Sequence, residues 1–360
     1  MEDLNKENLV SNEPGSKKNL YKIIILILVV VIVIFGIYLY SSNNSKPNES
    51  TVGKMCEGVN ISFFPGGNET DSFASVVYNG AKQAEKDLGA NVSYVWSDWD
   101  SNKMLSQFKD EIAKSPDAIA IMGHPGEESF KPLIDEAERK NIIVTSQNVD
   151  LPGIRVKYAS NGFGYVGQSL YDSGLMVANA VIRKYSPNTG TEAIVFGVSQ
   201  TTDPSRYQRT KGNIDGLKNA GLIVHEITIS DEVQKDLKSP LAQQMISDAL
   251  VKYPNVKVII TDHGALTASI PTFLKNLGKK PGEIIVAGFD LSADTVSGIK
   301  SGYIGLVLDQ QPYLQGYLPI LQSCLTKKYG FAGLYIDTGT GLIDNSNVDL
   351  VSGLADQKIR

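Results

Sequence analysis

The sequence predicts an α/β fold: two doubly wound lobes, each a parallel sheet covered by helices on both faces, preceded by an N-terminal transmembrane helix. From residue 59 onward, short apolar runs alternate with helix-length stretches, which is the pattern of repeated βα units. The runs are continuously apolar, as in strands that are buried on both faces. A chain of 360 residues also suggests about two domains. About ten such units favour two open sheets over a single eight-stranded barrel.

The predicted strands are apolar runs that end in polar residues or glycine. In chain order they lie at 59–64, 92–96, 118–123, 142–147, 155–160, 193–197, 224–229, 256–261, 284–289 and 304–308. The stretches between them have helical periodicity; in 72–90, for example, Phe73, Val77 and Ala81 recur on one helix face. A helix between consecutive strands is the crossover that a parallel sheet requires.

A run without charges occupies residues 23–40 (IIILILVVVIVIFGIYLY). At about 1.5 Å per residue, such a helix spans most of a hydrocarbon core about 30 Å thick. A buried core helix would hardly be so uniformly aliphatic. The apolar part of a cleaved signal peptide is usually about 7 to 15 residues long and ends in small residues. We therefore expect an uncleaved transmembrane anchor at 23–40.

Charges around this run set its expected orientation. Lys17, Lys18 and Lys22 precede it, and only Lys46 follows soon after it. The positive-inside rule then places residues 1–22 in the cytoplasm and the chain from residue 41 outside. Residues 41–58 are mostly polar and predict a linker. The expected location is the cell membrane, crossed once, with the folded region extracytoplasmic.

The net charge argues against one class of partner, and the two cysteines leave two structural roles open. The formal net charge of −5 gives no general attraction for phosphate backbones, so nucleic acid is not an expected partner. Cys56 and Cys324 are the two cysteines. They could pair outside the cell, or Cys324 could be a small buried apolar residue. We favour the second possibility, because two thiols in a chain of this size form no disulfide framework.

Residues 162–167 (GFGYVG) match the G-x-G-x-x-G fingerprint of a dinucleotide-binding turn. That motif needs a buried apolar strand before it and an acidic residue about 20 positions later. The preceding run, 155–160, is half polar, and the strand at 193–197 is followed by VSQTTD rather than by an early acid. We therefore expect these glycines to begin a helix that packs closely on a sheet, without a nicotinamide cofactor.

Five stretches of the sequence carry a resemblance to a known family. They are 72–89, 158–174, 209–221, 286–302 and 306–322. Together they resemble the ribose-binding branch of the type I periplasmic solute-binding proteins, and the resemblance extends from about Val59 to about Ile343. The combination of GFD at 288–290 with DQQPYLQGY at 309–317 is its most specific part. Proteins of this branch deliver simple sugars to ATP-binding-cassette (ABC) importers.

The resemblance implies the type I periplasmic binding protein fold, with two lobes joined by a three-strand hinge. One lobe would comprise 59–160 and 311–338, and the other 161–310 and 339–360. The chain would first cross between the lobes around GFGYVG. The motif then marks the hinge rather than a nucleotide site.

The resemblance also implies a ligand site at the carboxyl ends of the strands. A sugar needs planar hydrogen-bonding groups for its hydroxyls and flat aromatic faces for its C–H surface. The residues at the family's positions are Asp71, Phe73, Gln147, Asn148, Arg209, Asp262, Asp290 and Gln310, and second choices are Trp99, His124 and His263. Ribose binders have an acid and an arginine in place of Gln147 and Asn148, which puts ribose itself in doubt.

Structural roles stay open for several of these residues. Asp262 or Asp290 could cap the helix that follows it. Phe73 shares its helical spacing with apolar neighbours and could pack in the core. Arg209 could pair with Asp215 on the surface. The sequence alone does not separate these roles from ligand contact.

Signs of catalysis are few. His124, His225 and His263 lie far apart without metal-ligand spacing, and no HExxH, P-loop or G-x-S-x-G motif occurs. Sugar cleavage would need two carboxylates flanking the bond, and Asp71 with Asp290 stays open as such a pair. We expect no enzyme activity, no cofactor and no metal site.

Together these features predict a membrane-anchored, extracytoplasmic receptor that binds a monosaccharide, a pentose or a hexose. Its protein partner is expected to be the permease of an ABC importer, and its receptor domain to be monomeric. A polyol or cyclitol ligand is one alternative. A ligand-sensing subunit of a signalling complex is the other.

Overall fold

The structure is a computed structural model that describes residues 15–44 and 53–360. The chain divides into two compact units, Met1–Gly53 and Lys54–Arg360. The predicted cytoplasmic segment up to residue 14 and the linker residues 45–52 lie outside the described residues.

The first unit contains helix α1 (Gly15–Asn44), which covers the apolar run. Its continuous apolar stretch with described side chains, Ile24 to Tyr38, is exposed. Within the described residues, no helix combines the length and apolarity needed to cross a membrane. The predicted transmembrane anchor at 23–40 is therefore not supported.

The second unit alternates strands and helices. Its strands are β1 (Asn60–Gly66), β2 (Asn91–Trp96), β3 (Ala118–Met122), β4 (Ile143–Gln147), β5 (Tyr165–Gly167), β6 (Glu192–Gly197), β7 (Ile223–Thr228), β8 (Val258–Thr261), β9 (Ile285–Phe289), β10 (Leu306–Asp309), β11 (Tyr335–Asp337) and β12 (Gly341–Asp344). Its helices are α2 (Ala74–Leu88), α3 (Ser101–Lys114), α4 (Glu127–Arg139), α5 (Pro152–Tyr158), α6 (Leu170–Tyr185), α7 (Pro204–Asn219), α8 (Asp231–Gln234), α9 (Pro240–Lys252), α10 (Gly264–Asn276), α11 (Ala293–Lys300), α12 (Pro312–Tyr329) and α13 (Val348–Asp356).

The strands form two six-stranded sheets. The first has the order β11-β5-β4-β3-β1-β2, with parallel pairing throughout its described length. The second has the order β12-β10-β9-β8-β6-β7 and is parallel apart from the pair β10–β12. Every residue of the central strands β3 and β8 is buried, as expected where helices cover both faces. The predicted α/β fold with two parallel-sheet lobes is confirmed.

Capping side chains explain where three helices begin. Asp100, Asp203 and Ser292 precede α3, α7 and α11, and each accepts a hydrogen bond from the backbone N–H three residues further on. Each cap follows the carboxyl end of a parallel strand. The N-termini of these helices consequently lie at the same edge as the strand ends.

Helix α12 packs on α2 through two glycines. A Cβ at Gly80 would overlap the carbonyl oxygen of Tyr313, and a Cβ at Gly316 would overlap that of Val77. This close backbone contact holds α12, which follows a strand of the second sheet, against the first lobe.

The segment around GFGYVG differs from the prediction. The predicted strand 155–160 is wrong, because Pro152 begins helix α5 there and a 3₁₀ turn follows at Ala159–Asn161. The strand is β5, in the second half of the motif, and the expected helix begins only at Leu170. Gly162 has φ 98°, a conformation that favours glycine. The motif therefore turns the chain into a strand instead of opening a helix.

Three segments cross between the sheets: 168–169 after β5, 310–311 after β10 and 338–340 after β11. They contact one another. The N–H of Thr338 donates to the carbonyl oxygen of Gly167 at 2.8 Å, and Gln311 Nε2 donates to the carbonyl oxygen of Thr338 at 2.9 Å. The three crossings form one bundle between the lobes.

Cys56 and Cys324 form a disulfide, with their Cα atoms 5.6 Å apart. The preference for unpaired cysteines is therefore wrong. The packing of α12 on the first lobe brings together two positions that are separated by 268 residues. The number and spacing of the thiols in the sequence contain no sign of this contact.

Candidate functional site

A cleft of about 920 Å³ lies at the carboxyl ends of the strands. Segments after β1 to β4 form one wall, and segments after β6 to β9 form the other. Ligands of open α/β sheets bind at this edge. The predicted residues that line the cleft are Asp71, Phe73, Trp99, His124, Asn148, Arg209, His263, Asp290 and Gln310. Gln147 and Asp262 are not among the lining residues.

Three half-buried rings form the wall of the first lobe. The ring centroids of Phe73 and Trp99 are 6.0 Å apart, and those of Trp99 and His124 are 5.0 Å apart. A Cβ at Gly66 would overlap the Trp99 ring, so the glycine lets this ring lie on the end of β1. The rings are tilted by 48° and 39° to each other, and the flat face of one aromatic ring suits the C–H face of a sugar ring.

Asp71 supports this aromatic wall. Its Oδ1 accepts from the backbone N–H groups of Phe73 at 2.9 Å and Ala74 at 2.7 Å. Its Oδ2 accepts from Trp99 Nε1 at 3.1 Å. Because both oxygens already have protein donors, Asp71 holds the indole in place and offers a ligand only its remaining lone pairs.

His124 enters the cleft as an uncharged ring. Burial, followed by the charge of Arg206, lowers the pKa of His124 to about 3. Its Nε2 lies 2.8 Å from Asn148 Oδ1, which is an acceptor. In the neutral ring Nε2 therefore carries the proton, and Nδ1 is left as an acceptor.

A chain of amide groups connects the two lobes beside the cleft. Asn148 Nδ2 donates to the side-chain oxygens of Gln310 and Gln315, both at 3.1 Å. Gln310 Nε2 donates to Asp290 Oδ1 at 2.6 Å. Asn148 belongs to the first sheet's loops and Asp290 to those of the second. The hydrogen-bonded chain therefore runs through the crossing segment that contains Gln310.

Arg209 is 2 % exposed, and its guanidinium stacks on the Phe289 ring at 4.4 Å. Its Nη1 donates to the carbonyl oxygen of Asp262 at 2.7 Å. When the side-chain amide of Gln168 is oriented with its oxygen toward this guanidinium, that oxygen accepts a hydrogen bond from Arg209 Nε at 3.2 Å. Burial, followed by the charge of Arg206, lowers the pKa of Arg209 to about 9. The group stays protonated at neutral pH.

The alternative role for Arg209, a surface pair with Asp215, is wrong. Asp215 forms a salt bridge with Lys211 one helical turn away and also accepts from the hydroxyl of Tyr171 at 3.1 Å. Arg209 points to the opposite side, into the protein.

Asp262 is fully buried and holds the second lobe together behind the cleft. Its Oδ2 accepts from the N–H of Val198 at 3.1 Å and from the hydroxyl of Thr210 at 2.7 Å. Its Oδ1 lies 2.5 Å from His263 Nδ1. Burial alone would raise the pKa of Asp262, but His263, Arg206 and these hydrogen bonds lower it overall. At the carboxyl end of β8, the residue that lines the cleft is His263 and not Asp262.

Asp290 lies in the cleft with φ 68° directly after β9. Burial raises its pKa, against the effects of Arg209 and Gln310. A Cβ at Gly264 would overlap the Asp290 carboxylate, so glycine at the start of α10 makes room for it. Ser292 caps the following helix, so the capping role considered for Asp290 is wrong. Its carboxylate faces the cleft with one oxygen on Gln310.

Gln147 is the last residue of β4, and Asn148, with φ 66°, is the first residue after it. Gln147 is fully buried, and its Nε2 donates to the carbonyl oxygen of Phe64 at 2.9 Å. The expected contact between Gln147 and a ligand is therefore not supported by this position.

Asp203 and Arg206, which were not among the predicted site residues, line the cleft at the start of α7. Asp203 accepts from the N–H of Arg206 at 3.0 Å, and burial raises the pKa of Asp203. The signal was present: DPSR at 203–206, in the segment after the strand at 193–197, combines an Asp cap, a first-turn proline and an arginine. Gln168, buried in the first crossing segment, was also missed.

Unusual backbone conformations concentrate at this edge. Asp98, Trp99, Asn148 and Asp290 have φ values between 54° and 68°. Asp and Asn tolerate this region, but Trp rarely adopts it. Such residues cluster at binding sites, where the surrounding structure holds them in place.

Asp71 and Asp290, the pair considered for sugar cleavage, both line the cleft. Both oxygens of Asp71 accept from protein donors, and one oxygen of Asp290 accepts from Gln310. In the part of the chain that the structure describes, no group of three or more His, Cys, Asp or Glu side chains is placed to hold a metal ion.

Comparison with known proteins identifies the family. Residues 61–323 match the family model described as a periplasmic binding protein domain. The xylose/arabinose-binding protein of Sulfolobus acidocaldarius is 27% identical over 262 residues, which cover 69% of this chain and 62% of that protein. The chain thus spans less than two thirds of this relative's length.

Solved structures share the fold. An ABC transporter solute-binding protein from Burkholderia graminis, in complex with D-arabinose, has a TM-score of 0.70 at 22% identity, covering 81% of this chain and 97% of that one. A carbohydrate transporter protein from Acidothermus cellulolyticus, in complex with myo-inositol, has a TM-score of 0.69 at 20% identity, covering 84% and 99%. The matched family consists of solute-binding proteins, so the prediction that the chain is not an enzyme is confirmed. Since the family model matches more than half of its length, the chain belongs to the periplasmic binding protein family.

Proposed function

We propose that the chain is an extracytoplasmic receptor that binds a monosaccharide, a pentose or a hexose, and delivers it to an ABC importer. Membership of the periplasmic binding protein family supports a receptor. The relative from Sulfolobus acidocaldarius, which is named for xylose and arabinose, supports a sugar as the ligand.

The chemistry of the cleft is the observation that carries this function. One wall presents the aromatic faces of Phe73 and Trp99, and the other presents the Arg209 guanidinium and the Asp290 carboxylate. Aromatic faces pack on the C–H surface of a sugar, and planar charged groups pair with its hydroxyls. A volume of about 920 Å³ lies within the range of about 300 to 1,000 Å³ for small-ligand sites.

Closure of the lobes is the proposed working motion. We assign 59–160 with 311–338 to one lobe and 161–310 with 339–360 to the other. Because β5 pairs in the first sheet, the first segment of the first lobe extends to Gly167. The three crossing segments are the hinge. A ligand that contacts both walls binds the closed form better and shifts the population toward it.

The proposed location and partner agree with the chemistry of the chain. Disulfides persist outside the cytoplasm, and Cys56 and Cys324 are paired. The closed receptor, acting as a monomer, is the form that the importer's permease would bind. Co-purification with a permease supports delivery, whereas co-purification with a membrane kinase and no permease would point to a sensing subunit instead.

A thermal-shift screen of the full-length chain against pentoses, hexoses, polyols and cyclitols tests the receptor function. A sugar at about 100 times its dissociation constant should stabilise the fold by about 2.7 kcal/mol. We expect one sugar or a few related sugars to raise the melting temperature (Tm). If every monosaccharide leaves Tm unchanged, the monosaccharide receptor function is refuted. If only polyols or cyclitols raise Tm, the ligand is a polyol or cyclitol instead of a monosaccharide.

A further inference from the structure

Arg206 stands at the third position of α7 and lines the cleft. Its backbone N–H donates to Asp203 Oδ1 at 3.0 Å, and Pro204 sets the first helical residue. The backbone of Arg206 is held by these neighbours. Its side chain is therefore presented to the cleft by a rigid helix start rather than by a loose loop.

The guanidinium of Arg206 has no acceptor among the residues that the structure describes. Its Nε is buried without a hydrogen-bond partner. The other basic side chains of the cleft, Arg209, Lys235 and Lys238, all donate to protein oxygens. A buried donor without an acceptor is unfavourable. A ligand hydroxyl that reaches the guanidinium as the lobes close would supply the missing acceptor.

The charges around Arg206 indicate which kind of ligand brings that acceptor. Asp71, Asp203 and Asp290 line the same cleft as Arg206 and Arg209. A ligand with a carboxylate would add negative charge beside Asp203 and Asp290, where burial already disfavours charge. Sugar hydroxyls instead accept from guanidinium groups and donate to carboxylates, without adding charge.

We propose that Arg206 is a specificity-determining residue of the sugar site, which donates two parallel hydrogen bonds to adjacent hydroxyls of a neutral sugar. The planar fork of a guanidinium fits two neighbouring acceptors. Arg209 has fewer free donors, because it already binds Asp262 and Gln168. The assignment rests on the proposed function and adds to it a contact residue and the charge class of the ligand.

The field of Arg206 reaches both walls. After burial, it is the largest influence that lowers the pKa values of His124, in the first lobe, and of Arg209, in the second. Arg206 lines the cleft together with His124 of the first lobe and Arg209 of the second, where a sugar held between the lobes would meet it.

Isothermal titration calorimetry of the full-length chain tests this role with D-xylose, L-arabinose, D-arabinose, D-glucose, D-galactose and D-galacturonate. Wild type is compared with Arg206→Ala and Arg206→Lys, and with Arg183→Ala as a control, because Arg183 is exposed on α6 outside the cleft. We expect the neutral sugar that binds best to bind both Arg206 variants about ten- to a hundredfold more weakly, since even lysine lacks the planar fork. The control should bind like wild type.

Deoxy analogues of the best-binding sugar separate direct contact from a structural role. If Arg206 binds a given hydroxyl, removal of that hydroxyl weakens binding to wild type but has little further effect in Arg206→Ala. Wild-type affinity in Arg206→Ala, additive losses for every analogue, or a preference for D-galacturonate over its neutral counterpart D-galactose would each overturn the assignment. Failure of every neutral sugar to bind wild type would instead refute the proposed function, and this assignment with it.

Discussion

Replacement of Asp262 distinguishes a framework residue from a ligand contact. Asp262→Ala removes the acceptor of the Val198 N–H and the Thr210 hydroxyl, at 3.1 Å and 2.7 Å, and the partner of His263 at 2.5 Å. Asp262 is 0 % exposed, so water does not replace these bonds. Removal of one partner from a buried, charge-assisted network costs about 3 to 5 kcal/mol. We expect a loss of about 4 kcal/mol in the free energy of unfolding.

Thermal unfolding followed by circular dichroism measures this loss. At about 2 °C per kcal/mol for a unit of this size, Tm should fall by about 8 °C. Asp262→Asn should cost less than half as much, because an amide oxygen in the Oδ2 position still accepts from both the Val198 N–H and the Thr210 hydroxyl. Asp248→Ala is the control, since Asp248 is exposed on α9 and should leave Tm nearly unchanged.

Calorimetry on the same proteins tests whether Asp262 contacts the sugar. As a framework residue, Asp262 affects sugar affinity only through the stability and shape of the second lobe. An Asp262→Ala protein that melts like wild type but no longer binds sugar would show that Asp262 is a contact, as the sequence resemblance implied. That result would refute the reasoning from its hydrogen bonds.

Three further outcomes follow from other sites. Asp290→Asn should weaken sugar binding about ten- to a hundredfold in calorimetry with little change in Tm, and unchanged affinity would remove Asp290 from the site. Replacement of Cys56 and Cys324 by Ser should lower the free energy of unfolding in urea by about 2 to 5 kcal/mol; an equal midpoint and slope would contradict this. Burial would raise the pKa of Asp344, but its salt bridge with Lys184 at 2.6 Å lowers it to about 2. Asp344 thus stabilises the fold above about pH 4, and this contribution is lost toward about pH 2. Urea unfolding should show a smaller loss over that range in Asp344→Asn, and parallel pH curves would show that the pair has no such effect.

The sequence was sufficient to locate the site at the strand ends because continuous apolar runs specify buried parallel strands. Once the strands were placed, residues such as Asn148 and Asp290 had to lie at one edge of each sheet. The exceptions were 155–160, where Pro152 and the turn at Gly162 produce a helix and a later strand, and the strands β11 and β12, which were not predicted. Local backbone geometry prevailed at 155–160 over a short apolar pattern.

The direction of each side chain at that edge could not be predicted from the sequence. Gln147 and Asn148 are neighbours, yet the first donates into the lobe and the second lines the cleft. Asp262 and Asp290 both follow a buried strand, but donors from Val198 and Thr210 enclose only Asp262. Those donors come from distant parts of the chain, so only the folded structure separates the two aspartates.

The hydrogen-bonded chain of Asn148, Gln310 and Asp290 relates ligand binding to hinge motion. Its ends line opposite walls of the cleft, and its middle member lies on a crossing segment. Any change in the angle between the lobes must therefore alter these bonds. A sugar that contacts Asp290 and the wall beside Asn148 meets the same side chains that join the lobes. The preference of the sugar for the closed form then depends on whether its hydroxyls keep this hydrogen-bonded chain intact. The positions of the hydroxyls, and not only their number, are therefore a condition for closure.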